Sequence, residues 1–379
     1  MGKRELLLIL GFLIAGVVIY RATAPPSPEG ESGFPVGRLL DEVRREIRGN
    51  QASAEAERAA THQVPPEVTE VWIRGMAGRV DEIVVRGEER EDVQTRLRVT
   101  SRAYDDAEAR GTAERTVLTA EPAGATLGIG LTFPREGRQN ASLTVTMPAR
   151  LRLRVDARAA KLTISGVAAV ETTNATGEVS VRDVPGRAAV THRNGEVAIA
   201  DVGSLKYTGR NSRLTLAGVR GETALAFEQG GGLSASRVHG PVEIEARHAE
   251  IALDGAPGAG PLRVNATGGS VRIRELQGEA RLDGRDAEID LAMRTAAPVT
   301  IYSQGEDVSV TPPAAAHRLD LVATDGRIAP DSAIEGLGLS RSAQPGEQRA
   351  SGEHRGGGPT ISVRATRGDV ILRLPEREH

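Results

Sequence analysis

Four carboxylates close together in sequence, Asp283, Asp286, Glu288 and Asp290, are a set of groups with catalytic potential. Two acids facing one groove can serve as general acid and base on a glycosidic bond, or can share a cation. Strand alternation predicts that Asp283 points outward from one strand, that Asp286 sits in a corner, and that Asp290 faces out from the next strand. That geometry permits convergence without requiring it, and a solvated acidic face is the plainer expectation. A second set is Asn174, His192 and Glu228, which share a column of inward-leaning, mostly small positions with Ala157, Gly209, Ala246, Ala266 and Gly284. On neighbouring strands about 4.8 Å apart, a histidine with a carboxylate nearby has the makings of a general base or a weak metal site. A hydrogen-bonded polar ladder is the plainer expectation, because buried polar groups find partners. The sequence therefore predicts no catalytic residue, no metal site and no cofactor. Asn174, His192, Glu228, Asp283, Asp286 and Asp290 remain as binding candidates.

The elements that must position these side chains are set by a repeat. From about Leu153 to Ile328 a pattern recurs at roughly 18-residue intervals: apolar-x-apolar-x-small, a Gly/Asn/Asp corner, then apolar-x-apolar. One column runs Leu162, Val179, Val197, Leu214, Leu233, Ile251, Val271, Ile289, Val308, Ile328 and then Val370. Seven residues earlier in each copy lies Val155, Thr172, Val190, Tyr207, Ala226, Ile244, Val264, Leu282, Ile301, Leu321 and Val363. Period-2 alternation of this kind marks strands with one buried face. The corner column is mostly Gly, Ala and Ser, as a tight corner or a close backbone approach demands. Fixed internal offsets over about ten copies predict an all-β, right-handed parallel β-helix, a solenoid of about 18-residue coils. A β-sandwich built from hairpins explains the alternation but not the constant offsets.

Composition narrows the function classes. Aromatic residues are 2% of the 379, which is little for stacking sugars or bases, and Phe227 and Tyr302 are expected to be isolated outward-facing rings. A formal charge of -3 gives no field that would gather nucleic acid. The absence of cysteine excludes disulfides and thiolate metal sites. Arg263, Arg272, Arg274 and Arg281 form the most basic patch, diluted by Glu243, Glu245 and Asp283.

Residues 1–21 are expected to be a membrane anchor, an N-terminal transmembrane helix, or else an export signal. Leu6–Tyr20 is an unbroken apolar run behind Lys3 and Arg4, which favours a cytoplasmic start and an exported body. Residues 22–66 read as a flexible linker with a short exposed helix over Leu39–Ala60. Residues 67–150 read as the N-terminal β region and cap, with a helix or long turn over Tyr104–Arg115. Residues 151–329 form the regular repeat, 330–359 a mobile insertion, and 360–379 one last coil and tail.

The stretch Leu143–Val155 (LTVTMPARLRLRV) and Leu162–Val167 (LTISGV) resembles the bacterial DUF4097 family of β-strand-repeat adhesins. So do the units Gly177–Gly186 and Gly195–Gly203, each reading Gly-Glu-Val-x-x-x-Asp-Val before its next glycine. The resemblance covers about Val68 to Leu374, with the Ala159-Ala160 corner and the late insertion as departures. It implies an anchored or exported envelope protein with a β-solenoid body, and it carries no catalytic residues to transfer. The expected function is thus a membrane-anchored bacterial cell-envelope protein presenting a non-catalytic, adhesin-like binding or structural surface. The expected location is the cell membrane, single-pass, with the body in the periplasm or at the surface. The expected partners are the membrane, through the N-terminal helix, and an envelope protein or glycan; nucleic acid is not among them. A self-assembling envelope scaffold is one alternative, and a glycan-active β-helix enzyme using Asp283, Asp286 and Asp290 is another.

Overall fold

Alternating Val, Ile and Leu draw most of the described chain into strands. The computed structural model describes residues 52–134, 138–255 and 260–374. The expected membrane segment therefore lies outside the described residues, among which no helix is long and apolar enough to cross a membrane. This part of the protein is all-β, with two short helices.

The N-terminal strands are β1 (Ala52–Gln63), β2 (Glu70–Glu88), β3 (Asp92–Ala103), β4 (Val117–Ala123), β5 (Thr126–Thr132) and β6 (Arg138–Pro148). Helix α1 (Asp106–Glu114) falls between β3 and β4, with Asp105 as its N-cap, accepting from the Glu108 amide at 2.8 Å. Then come β7 (Arg152–Ser165), β8 (Ala169–Arg210), β9 (Ser212–Val219), β10 (Thr223–Gln229), β11 (Gly232–Val238), β12 (Val242–Asp254) and β13 (Leu262–Leu276). The series continues with β14 (Ala280–Arg285), β15 (Glu288–Met293), β16 (Val299–Gln304), β17 (Val308–Thr311), β18 (His317–Thr324) and β19 (Ile328–Ala329). Helix α2 (Asp331–Gly336), β20 (Ser340–Gln344), β21 (Glu347–His354), β22 (Thr360–Thr366) and β23 (Val370–Leu372) complete it.

Two parallel ladders organise the repeat. In the first, Ile244 pairs with Val264, Leu282 and then Ile301; in the second, Ile251 pairs with Val271, Ile289 and then Val308. These are the columns read from the sequence, and their side chains fill one continuous apolar core running from Val68 to Leu372. Corners between the ladders bring backbones close together. At Gly195, φ is +128° and an added Cβ would lie 2.1 Å from the Gly177 carbonyl oxygen, so only glycine fits.

Three expectations need correction. The segment Ala52–Gln63 is a strand paired antiparallel to β3 along its length, not linker or helix. Its Ala, Glu and Arg favour helix locally, but cross-strand pairing wins: Glu57 meets Arg96 at 3.5 Å and Glu55 meets Arg98 at 3.9 Å. Phe227 is buried, not outward, because Glu228 is an extra, bulged residue between Phe227 and Gln229 that moves the preceding strand by one position: Leu225 and Phe227, not Ala226 and Glu228, pair with Ile244 and Ala246. The stacking order also departs from the sequence order. Strand β22 lies between β16 and β18, and β23 between β17 and β19, so the copy that comes last in sequence is inserted before the one that precedes it.

The segment 330–359, expected as a mobile insertion, carries a helix and a hairpin. Helix α2 buries Ala333 and Ile334, and β20–β21 form a hairpin that adds antiparallel strands beyond β18. At the other end, β4 pairs antiparallel with β5, while β1, β3 and β6 close the second ladder.

Candidate functional site

The interior column brings Asn174 and His192 onto β8 with 1% exposure each, sealed from solvent. The Asn174 side-chain nitrogen donates to the Ala159 carbonyl at 3.3 Å, while its carbonyl oxygen and both His192 ring nitrogens have no partner. The Gly177 backbone lies beside the His192 ring without reaching hydrogen-bond geometry. Burial dominates the electrostatics and pushes the imidazole below its ordinary pKa. Glu228 does not join them: it is exposed, and the strand shift puts Phe227 in the column beside Gly209 and Ala246. The Phe227 ring packs 5.5 Å from that of Tyr207, whose hydroxyl shares a 2.6 Å hydrogen bond with Ser212. Gly209 leaves room for that phenol, since a Cβ there would lie 2.5 Å from the Tyr207 oxygen. No substrate reaches these groups without unstacking the strands, so the column is structural.

The acids are distributed over the two ladders. Asp283 stands on β14 and Asp290 on β15, each bound by arginine. Arg281 donates to Asp283 at 2.9 Å, while Arg373 and Arg272 approach Asp290 at 3.2 and 3.6 Å. Asp286 occupies the corner between them with φ 51°, its carboxylate lying over Gly305. Among the described residues no three His, Asp or Glu side chains are placed to hold a metal ion. The basic patch is divided in the same way, with Arg263 and Arg281 neighbours on the first ladder and Arg272 on the second.

What the structure does assemble is an open groove on the outer face of the first ladder, with a volume of about 530 Å³. Its central row is Asn265, Asp283, Tyr302 and Arg364, one from each of β13, β14, β16 and β22. The backbone at Gly284 and Ser303 contributes to its floor. Tyr302 is 45% exposed, and the Arg281 guanidinium lies 5.3 Å from its ring centre. Arg364 donates to Asp320 at 2.6 Å and leaves its other terminal nitrogen without a partner. Sequence reading found Asp283 and the outward Tyr302 but missed the groove. The apolar columns in chain order set Leu321, and hence Val322, beside Tyr302, where the structure places Arg364.

No protein-family model matches the sequence, and no curated protein does. Among solved structures, the chain is similar to a putative cell adhesion protein from Clostridium sporogenes ATCC 15579, at 8% identity and a TM-score of 0.19, over 84% of this chain and 100% of that one. It is also similar to a putative adhesin from Parabacteroides merdae ATCC 43184, at 10% identity and a TM-score of 0.28, over 86% and 98% of the two chains. A third is a putative lipid binding protein from Parabacteroides distasonis ATCC 8503, at 11% identity and a TM-score of 0.26, over 86% and 98%.

Proposed function

We propose that this chain is a single-pass, N-terminally anchored protein of a bacterial cell envelope, with its body exported to the periplasm or cell surface. We further propose that the body is a right-handed parallel β-solenoid serving as a non-catalytic, adhesin-like binding surface for an envelope protein or glycan. The register carries this reading: successive copies pair in parallel at matched positions, so outward side chains form continuous rows along the stack. Parallel connections of this kind are right-handed in nearly all sheets. The apolar run Leu6–Tyr20 behind Lys3 and Arg4 supports the anchor, and the resemblance of Gly177–Gly203 to DUF4097 units supports the same class. Asp283 and Asp290 are consumed in ion pairs on different ladders, which favours a surface over an acid/base pair. The test is co-sedimentation of the full chain, held in detergent, with cell envelopes stripped of lipid, so that the anchor has no membrane to enter. Saturable pelleting is the expected result, and a chain that stays in the supernatant at all loadings would overturn the binding reading.

A second reading, assembly into a scaffold, is favoured by the edges of β1, β4 and β20, each of which, among the described residues, bonds a neighbour strand on one side only. Light scattering on the full chain in detergent separates the two readings. A mass independent of concentration fits a binding surface, whereas growth with concentration would make assembly the function.

A further inference from the structure

The outer groove of the first ladder has the composition of a sugar subsite with a demand for negative charge. Tyr302 supplies an exposed ring in a chain with only 2% aromatics, and it is one of three large apolar side chains so exposed among the described residues. The ring is braced, because Arg281 lies against it and is itself fixed to Asp283 by two hydrogen bonds, at 2.9 and 3.4 Å. A side chain held in this way gives up little entropy when a ligand lands on it. Around the ring stand the amides of Asn265 and Gln304, which can each donate and accept, as sugar hydroxyls require.

The charges then decide which sugar. Asp283 is neutralised by Arg281, and Asp320 by Arg364. Arg285, on the neighbouring strand β14, makes no ion pair or side-chain hydrogen bond among the described residues, so it leaves the groove with one uncompensated cation. Arg364, part-exposed and bound to Asp320 through one terminal nitrogen, adds a second guanidinium from the opposite side, on β22. The two arginines thus flank strand β16, which carries the ring, and planar guanidinium groups suit carboxylates.

We propose that this groove binds a carboxylated sugar residue of a polysaccharide, with its ring against Tyr302 and its carboxylate beside Arg285 and Arg364. This rests on the reading of the body as a binding surface, and names the ligand class for one part of it. The step is binding alone, with no bond made or broken.

The experiment is calorimetric titration of the full chain, in detergent, with an oligogalacturonate; a neutral dextran oligosaccharide and polyglutamate serve as comparison ligands. Saturable binding of the oligogalacturonate is expected. Tyr302→Ala and Arg285→Gln should each weaken it about tenfold, while Arg213→Gln on the second ladder leaves it unchanged. Melting curves confirm that each variant is folded. Three results overturn the proposal: no heat with oligogalacturonate, polyglutamate binding of equal strength that ignores Tyr302→Ala, or dextran binding of equal strength that ignores Arg285→Gln. Envelope pelleting separates the two levels. If oligogalacturonate fails while the full chain still pellets with envelopes, the groove assignment falls and the surface reading stands; if pelleting fails as well, both fall.

Discussion

His192 shows how this scaffold treats polar groups that its repeat places inside. The ring is sealed among strands with two unpartnered nitrogens, and burial holds it neutral when folded. The unfolded chain accepts a proton near pH 6.5, so the unfolded state binds more protons as pH falls below that value. Stability is therefore full above about pH 6.5 and is lost as pH drops toward the depressed folded pKa. Burial lowers His317 in the same direction. His192→Leu should flatten part of the acid-side fall in melting temperature, leaving the His317 part. At neutral pH it should hold or raise stability by about 1 kcal/mol, because an apolar group replaces an unsatisfied one; a large loss there would show that the ring has partners in solution. Glycines provide a second residue-scale prediction. Gly195→Ala should cost at least about 1–3 kcal/mol in denaturant unfolding, from backbone strain alone, and more from the 2.1 Å clash with Gly177. Gly124→Ala should cost less, since that turn has a positive φ but open space around it.

Among the elements, the most consequential arrangement is the insertion of β22 and β23 between older neighbours. A chain ending before residue 360 lacks the strands that join β16 to β18 and β17 to β19. Hydrogen exchange on that truncation should show β19 and the β18 amides that face β22 losing protection, while the β18 amides that face β21 and those of β8 to β13 keep theirs; retained protection on the β22 side of β18 would mean direct pairing with β16. The strands were largely legible in the sequence. Apolar columns such as Ile251, Val271, Ile289 and Val308 are in register as read, because a fixed spacing leaves one way to bury every member. Stacking order was not legible, since Leu321 and Val363 are equally suited to lie beside Ile301. The same ambiguity hid the groove, whose Tyr302–Arg364 pair exists only in the inserted order. Strand β1 escaped because its alternation is of Ala with charged residues, a pattern that helix propensity claims first. Glu228 was misplaced because it is itself the extra residue of a bulge, which shifts the strand face before it.

On the proposed solenoid reading, each copy stacks on its neighbours and stability is a sum of local and nearest-neighbour parts. Trp72, the sole tryptophan, reports on the N-terminal copies: its indole donates to Asp156 at 2.9 Å, with the guanidinium groups of Arg74 and Arg154 at 4.7 and 5.0 Å from the ring. Leu282→Ala on β14 should cost about 2–5 kcal/mol locally. It should move the circular-dichroism transition more than the Trp72 fluorescence transition. Equal shifts in both would show that the body unfolds as one unit.

The inserted order also bears on how the chain is made. A ribosome releases β18 and β19 well before the strands that must separate them from β16 and β17, with Arg364 emerging 44 residues after its partner Asp320. Until then the growing end holds two apolar faces that fit each other in the wrong register. If the body is exported as proposed, a chain kept unfolded until it crosses the membrane avoids this mispairing, because the late strand then arrives together with the rest. Chains cut short lack their inner copy as well as their tail, and present an open seam that quality-control proteases can recognise.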